Sequence, residues 1–428
     1  MKKNTFLIKS LFLGAALFFA SNTQAQVELK ILTEMGTRFS DVNDNGQGVT
    51  TAQYYDFATG ILTPMEPEVL MLSSINNDEN VAGIIDINNN MEAGYRMNGE
   101  WKGVGFTTQQ DPSNDQNFPY GISDNSRYIT GQGNEGTNYG GFLFDTQTEE
   151  LVVRFDPQGE AGASYGVNDN GIMVGWVDRP DGGGTLRVPA YITLDGEFHI
   201  IPENQSPAES WDNSIYGINN NNVMVGSFDL EPFIYDLTTN TFTNFDIPQG
   251  ALSAAFSTIS DNGVAVGYAE VDFQIRDAIV YHPTFGEQPV FLKDILADHG
   301  ITVDTPDGYL GTAISVSSNG KYIAGWLNGP PMYSEGWMVN LDDLILGTTT
   351  LQTTTVSYYP NPVKNVLNLN TKETINSVAV YNVTGQKVAN VSVSDNNTQI
   401  DFSSLASGVY FVEVKSNGNV ENLKIVKE

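Results

Sequence analysis

Between residues 42 and 325 one order of apolar and polar positions returns seven times. An apolar residue precedes Asn or Ser, then a second polar residue, then Asn or Asp. The copies are Val42-Asn43-Asp44-Asn45, Ile75-Asn76-Asn77-Asp78, Ile122-Ser123-Asp124-Asn125, Val167-Asn168-Asp169-Asn170, Ile218-Asn219-Asn220-Asn221, Ile259-Ser260-Asp261-Asn262 and Val316-Ser317-Ser318-Asn319. In six of them an apolar, β-rich run and a Gly follow: Gly83, Gly131, Gly175, Gly226, Gly267 and Gly325. The fourth copy shows the unit in full. Ala163–Asn168 predicts a strand, Asp169-Asn170-Gly171 a tight turn, and Ile172–Val177 a second strand. Val188–Thr193 predicts a third strand and Phe198–Ile201 a fourth, joined by a turn at Leu194–Glu197.

The second strands are apolar on both faces, which suits a sheet covered on both sides. The Gly in each lets a neighbouring backbone come close. A lone four-stranded unit cannot bury its own faces, whereas a closed ring buries all of them. The expected fold is therefore all-β: a β-propeller over residues 26–346, seven blades by count, with six or eight as the neighbouring closures. A row of sandwiches needs longer units, and an open solenoid needs a tighter repeat. The first copy is irregular and lacks the Gly. Val27–Leu32 is placed as a strand that completes the last blade.

Composition narrows the chemistry. The 428 residues contain no Cys and carry a net charge of −31. Disulfides, thiolate metal sites and cysteine nucleophiles are excluded. The acid surplus falls within residues 26–345, so this region repels nucleic acid and anionic membranes. Residues 1–25 read as a signal peptide: Lys2-Lys3, an apolar stretch from Leu11 to Ala20, then Thr23-Gln24-Ala25, with cleavage between Ala25 and Gln26. No later segment is long and apolar enough to span a bilayer.

Candidate chemistry is sparse. His199, His282 and His299 lack metal-ligand spacing. Asp41, Asn43 and Asn45 open an EF-hand-like loop, Asp-x-Asn-x-Asn-Gly, which names Ca²⁺ as the one cofactor to consider. The twelfth position is Ala52 rather than Glu, and the loop coincides with a blade turn. Asp272/Asp277 and Asp304/Asp307 are carboxylate pairs of the type glycoside hydrolysis uses. Among so many acids such pairs arise by chance. Trp211, Trp326 and Tyr333 are candidates for stacking on sugars.

The copies resemble extracellular HAF-type repeats, through Asn168–Gly175 with Ala190-Tyr191-Ile192, and Asn219–Gly226 with Phe233-Ile234-Tyr235-Asp236. Val316–Ala324 is also similar to the repeat of TolB- and WD40-like propellers. After a polar linker (347–356), residues 357–428 predict a small Ig-like β-sandwich. This module closely resembles the type A C-terminal sorting domain of type IX secretion, through Tyr359-Pro360-Asn361-Pro362, Val378–Gly385, Leu405–Tyr410 with Gly408 and Tyr410, and the basic end Lys424–Lys427. That resemblance implies handling by the type IX machinery, removal of the module during transport, and a product secreted or held on the outer surface of a Gram-negative bacterium. The pattern as a whole points to a binding or adhesion propeller with a glycan or a surface protein as ligand. The alternative is a carbohydrate-active hydrolase or lyase with acids at the propeller mouth.

Overall fold

The computed structural model describes residues 27–428 apart from 88–89, 106–116, 136–137, 155–161, 179–186, 202–212, 331–333, 342–356, 383–386 and 417–418. Residues 1–26, which include the expected cleavage site at Ala25 and Gln26, lie outside the described residues, as do Trp211 and Tyr333. The chain divides into two compact units, Met1–Leu346 and Gly347–Glu428.

The first unit is a seven-bladed propeller of four-stranded antiparallel sheets. Blades 1 to 6 span 39–64, 69–103, 117–154, 162–200, 214–244 and 253–291, each with its strands in chain order. Blade 7 is composite. Thr312–Val316, Tyr322–Trp326 and Gly336–Asn340 take Glu28–Ile31 as their outer strand, with Glu28 opposite Asn340 and Ile31 opposite Trp337. The ring thus closes where the sequence places its closing strand.

The second strands are buried on both faces, as in Val81–Ile85 and Met173–Val177. The recurring Gly answers a distortion in the strand beside it. Every innermost strand bulges at one equivalent place, for example between Ser164 and Gly166 and between Ile215 and Gly217. The bulge pushes a carbonyl toward the second strand. A Cβ on Gly175 or Gly226 would overlap the carbonyl oxygen of Ala163 or Ser214. In blade 1, Thr50 pairs with Phe39 at this place, and its hydroxyl accepts the Gln53 N–H at 2.9 Å to close the short turn that follows.

Third strands bring aromatic rings of neighbouring blades together. Tyr95 meets Phe144 of the next blade at 5.5 Å, and Tyr191 meets Tyr235 at 6.4 Å. These contacts add dispersion and burial between blades whose sheets share no strand pairing. Asp56, Asp145 and Asp236 end three of these strands and accept backbone N–H groups of the following turn.

One helix was not anticipated: α1 (Leu292–Asp298), which follows the last strand of blade 6 and buries Leu292 and Leu296. It carries Lys293, whose ammonium lies 2.7 Å from the carboxylate of Asp277. The Asp277 side chain is fully buried, and it also accepts the Leu310 N–H at 3.0 Å. Burial pushes the Asp277 carboxyl up, against the opposing pull of Lys293.

In the second unit the sandwich takes the form of one curled five-stranded sheet. Its long strand Val366–Asn382 shifts register between Asn370 and Ser377. The first half pairs with Ser357–Tyr359, the second with Gly408–Ser416, and Lys387–Asp401 follows both. The curl encloses Leu367, Val378, Phe402, Val412 and Ile425. Asn361, between the two cis prolines Pro360 and Pro362, accepts the Val426 N–H at 2.8 Å. Tyr410 donates to the Ala406 carbonyl at 2.8 Å and packs edge-on against Phe402. The residues that carry the sorting-domain resemblance therefore hold the last strand and the core of this sheet.

Candidate functional site

The innermost strands line a central channel whose two ends differ. At one end the seven Asn/Ser-Asx turns converge. Asn43, Asn76, Asn168 and Asn219 work alike. Each Oδ1 accepts the backbone N–H groups two and four residues ahead, at 2.9–3.2 Å. Each Nδ2 donates to the carbonyl of the first motif residue in the next blade, at 2.9–3.1 Å. One buried amide therefore shapes its own turn and ties it to the neighbour.

The Ser copies divide that task between two residues. Ser123, Ser260 and Ser317 donate to the Oδ1 of Asn125, Asn262 and Asn319. Asn125 and Asn262 then reach the next blade, donating to the carbonyls of Asp169 and Asn319. A Ser at the first position thus stands with an Asn at the third in every copy.

The second motif residue adds another link. The Oδ1 atoms of Asn77, Asp169, Asn220 and Asp261 accept backbone N–H groups from the preceding blade. The ring closes through the Asp261 N–H to the Ser318 carbonyl and the Asn319 N–H to Asp44.

Asp124 departs from this scheme. Its Oδ2 reaches across the mouth to accept Asn220 Nδ2 at 2.9 Å and Ser318 Oγ at 2.7 Å, from blades 5 and 7. The space left at this end is about 110 Å³. Burial, with the charges of Asp261, Asp169 and Asp44 adding to it, pushes the Asp124 carboxyl up to about 6. A carboxyl raised in the folded state binds a proton that the unfolded chain releases between about pH 4 and 6. Stability attributable to Asp124 therefore falls as pH rises through that window. Asp124→Asn keeps an oxygen for both donors and removes the charge. It is expected to raise unfolding free energy at pH 7.5 by about 1–3 kcal/mol, at 1.36 kcal/mol per pKa unit, and by little at pH 4. Denaturant melts at the two pH values measure this, and a loss of stability at pH 7.5 would contradict it.

The other end of the channel opens into a cavity of about 690 Å³. Arg38 and Arg276 lie in its wall, from blades 1 and 6. The Arg38 guanidinium stacks 4.0 Å from the Trp326 ring centroid and that of Arg276 3.8 Å from Tyr268. Burial lowers the Arg38 pKa, and the Arg276 charge pulls the same way. Neither guanidinium forms an ion pair among the described residues. Tyr120, Tyr165 and Tyr216 run along successive blades as a panel, their centroids 5.6 and 5.5 Å apart. Trp176 Nε1 donates to the Tyr165 hydroxyl at 3.1 Å and fixes the middle ring.

The residues singled out in the sequence are distributed otherwise. Asp41 is in the channel wall, where its carboxylate accepts the hydroxyls of Ser74 and Ser315, both at 2.6 Å, and the N–H groups of Ile75 and Val42. The oxygens of Asp41 and Asn43 are thus committed to inter-blade and turn hydrogen bonds. Asn45 gives its N–H to Asn43. Among the described residues, no group of three or more His, Asp or Glu side chains is arranged to hold a metal ion. Asp277 is paired with Lys293, while Asp272, at the end of a blade 6 strand, and Asp307, in a turn, are both exposed. His199 stacks on Tyr191, His282 contacts Thr284 and His299 ends α1. Of the three aromatic candidates, Trp326 does line the cavity. The two arginines were missed: a net charge summed over the chain hides two cations brought together from blades 1 and 6.

Fold and tail together define a class: a seven-bladed propeller carrying an export signal at its C-terminal end. Residues 357–428 match the family model of the secretion system C-terminal sorting domain. That tail directs the chain to the bacterial cell surface. A comparison with curated proteins gives no match. Among solved structures the chain is similar to PorZ, a surface component of the type IX secretion system of Porphyromonas gingivalis (TM-score 0.40, 11% identity, 94% of this chain and 58% of that one). It is also similar to the extracellular domain of the hybrid two-component system BT3049 from B. thetaiotaomicron (TM-score 0.44, 12% identity, 92% and 56%). A third likeness is oligogalacturonate lyase from Vibrio parahaemolyticus (TM-score 0.44, 11% identity, 76% and 95%). The chain spans a little over half the length of the first two. The fold itself is read from the strand pairing. No helix among the described residues is long and apolar enough to cross a membrane.

Proposed function

We propose that this protein is a binding module, exported by type IX secretion, that takes a glycan or a surface-protein ligand into the open end of the propeller channel. The observation that carries this is the contrast between the ends. One is drawn shut by hydrogen bonds from all seven blades, and the other is a cavity of about 690 Å³, within the usual size of ligand pockets. The carboxylates a hydrolase or lyase would draw on gather mainly at the shut end, already hydrogen-bonded. The resemblance of the blades to extracellular HAF-type repeats fits a scaffold that works outside the cell. The signal peptide and the tail then serve two successive membranes.

Export is tested by ending the chain at Leu346. The full chain is expected on intact cells, accessible to added protease, and the truncated chain is expected to stay in the periplasm. Equal surface display of both would remove the tail from the account.

A further inference from the structure

Three observations in the open cavity bear on what it binds. First, Arg38 and Arg276 place two positive charges near each other, half-buried, with no carboxylate partner among the described residues. Like charges held together without a counter-ion are costly, and the cost is relieved when an anion binds between them. Each guanidinium sits over an aromatic ring, an arrangement that holds the fork in place and suits bidentate contact with an oxyanion. In a chain of net charge −31 this local reversal of sign is not a by-product of composition.

Second, Ser73 lines the same cavity, is 8% exposed, and its hydroxyl has no hydrogen-bond partner in the structure. Buried hydroxyls ordinarily find partners, so an unpaired one in a cavity wall marks a place for a ligand atom. Third, the tyrosine panel and Trp326 offer ring faces, while Thr51, Thr258 and Thr312 bring further hydroxyls to the wall. An apolar acid would leave those hydroxyls unpaired. A ring that carries several hydroxyls and an oxyanion matches charge, faces and hydroxyls together.

We infer that the cavity is a site for an anionic saccharide, its carboxylate or phosphate held by Arg38 and Arg276, its ring faces on Tyr120, Tyr165, Tyr216 and Trp326, and a hydroxyl on Ser73. This rests on the reading of the open end as the binding end and adds the chemical class. Asp41, on the same wall, faces Ser74 and Ser315 with both oxygens occupied and leaves the arginines free for the ligand.

The test uses the full chain without its signal peptide, titrated in a calorimeter with three probes at low salt: a glucuronate-containing disaccharide, glucose 6-phosphate, and the neutral disaccharide cellobiose. Binding of an acidic probe with at least tenfold preference over cellobiose is expected, weakening as salt rises. The two acidic arms separate a uronate from a sugar phosphate. Arg276→Gln and Arg38→Gln are each expected to weaken acidic binding tenfold or more. Lys102→Gln, the same charge change on the outer strand of blade 2, is expected to leave it unchanged. Should Arg38→Gln misfold by circular dichroism, Arg276→Gln and Arg38→Lys carry the test. The Lys variant keeps the charge but loses the fork. Equal binding of cellobiose and the acids would overturn the anionic class while leaving the open end as the binding end. Failure of both acidic probes to bind, or binding untouched by every arginine variant, would overturn the site.

Discussion

Replacing Lys293 by Met is expected to destabilise the propeller by about 3–5 kcal/mol, the usual cost of stripping the partner from a buried charge. Asp277 is fully buried and keeps its backbone donors, the Leu310 N–H at 3.0 Å and the Ala278 N–H. Without the ammonium at 2.7 Å its carboxylate has no counter-charge among the described residues. The Asp277 carboxyl already lies above its ordinary value through burial, and loss of Lys293 removes the opposing pull. The folded variant therefore favours the protonated acid. Its deficit should be largest at pH 8 and should shrink as pH falls toward the raised carboxyl value, the opposite of ordinary acid weakening. The double variant Asp277→Asn/Lys293→Met should recover a large share of the loss, because neither charge then remains. Chemical unfolding of the three proteins at pH 8 and pH 5 decides the matter. A Lys293→Met protein as stable as the parent at pH 8 would show that the pair contributes nothing.

The second large effect concerns the turn ring. Asn219→Ala removes a side chain that accepts the N–H groups of Asn221 and Val223 and donates to the Ser260 carbonyl. With Asn219 buried, two N–H groups lose their partner together, and the Ser260 carbonyl, which keeps the Gly263 N–H, loses one of its two donors. A cost of about 3 kcal/mol is expected, from about 1–3 kcal/mol for each buried group left unpaired and partial access of water to the turn. Asn219→Ser should recover more than half of it. Ser occupies this position in blades 3, 6 and 7, each time with Asn two residues on, and Asn221 already donates to the Asp261 carbonyl at 2.7 Å. If Ser proved no better than Ala in thermal melts, the two forms of the motif would not be interchangeable solutions to one geometric problem.

These residues show where sequence suffices and where it stops. The turns, the doubly apolar second strands and the spaced glycines are local, so a run such as Asn168–Val177 announces a hairpin by itself. Seven such runs imply a ring, because nothing else covers both faces. The closing strand Val27–Leu32 was legible for the same reason: one blade was a strand short. The role of the motif Asn was half visible. Its turn-forming Oδ1 acts within five residues, but its Nδ2 acts on a residue about 30 to 50 positions away, and no spacing along the chain records that. Helix α1 left a signal, with Leu292, Ile295 and Leu296 at helical spacing before His299-Gly300, but it is short and lies in a region dominated by strands. The cavity arginines left none. Arg38, just ahead of the first strand of blade 1, and Arg276, in a strand of blade 6, are ordinary residues until the ring bends the two blades toward a shared axis. In the tail, the ordered motifs were legible, but whether they build two facing sheets or one curled sheet turns on the register shift within Val366–Asn382, which depends on long-range pairing.

The composite seventh blade bears on how the molecule comes into being. Glu28 pairs with Asn340, so the two strands that seal the circle come from opposite ends of the unit. Six blades can form from neighbouring segments as they emerge from the ribosome or the translocation pore. The seventh must wait for an encounter between chain ends more than 300 residues apart, whose loop-closure entropy is met only once, at the end. Until then blade 1 and the unfinished blade 7 each show an uncovered apolar face. The interval between emergence and sealing is when the chain is most exposed to proteolysis and self-association, and the sealing strand begins only a few residues beyond the predicted signal cleavage point.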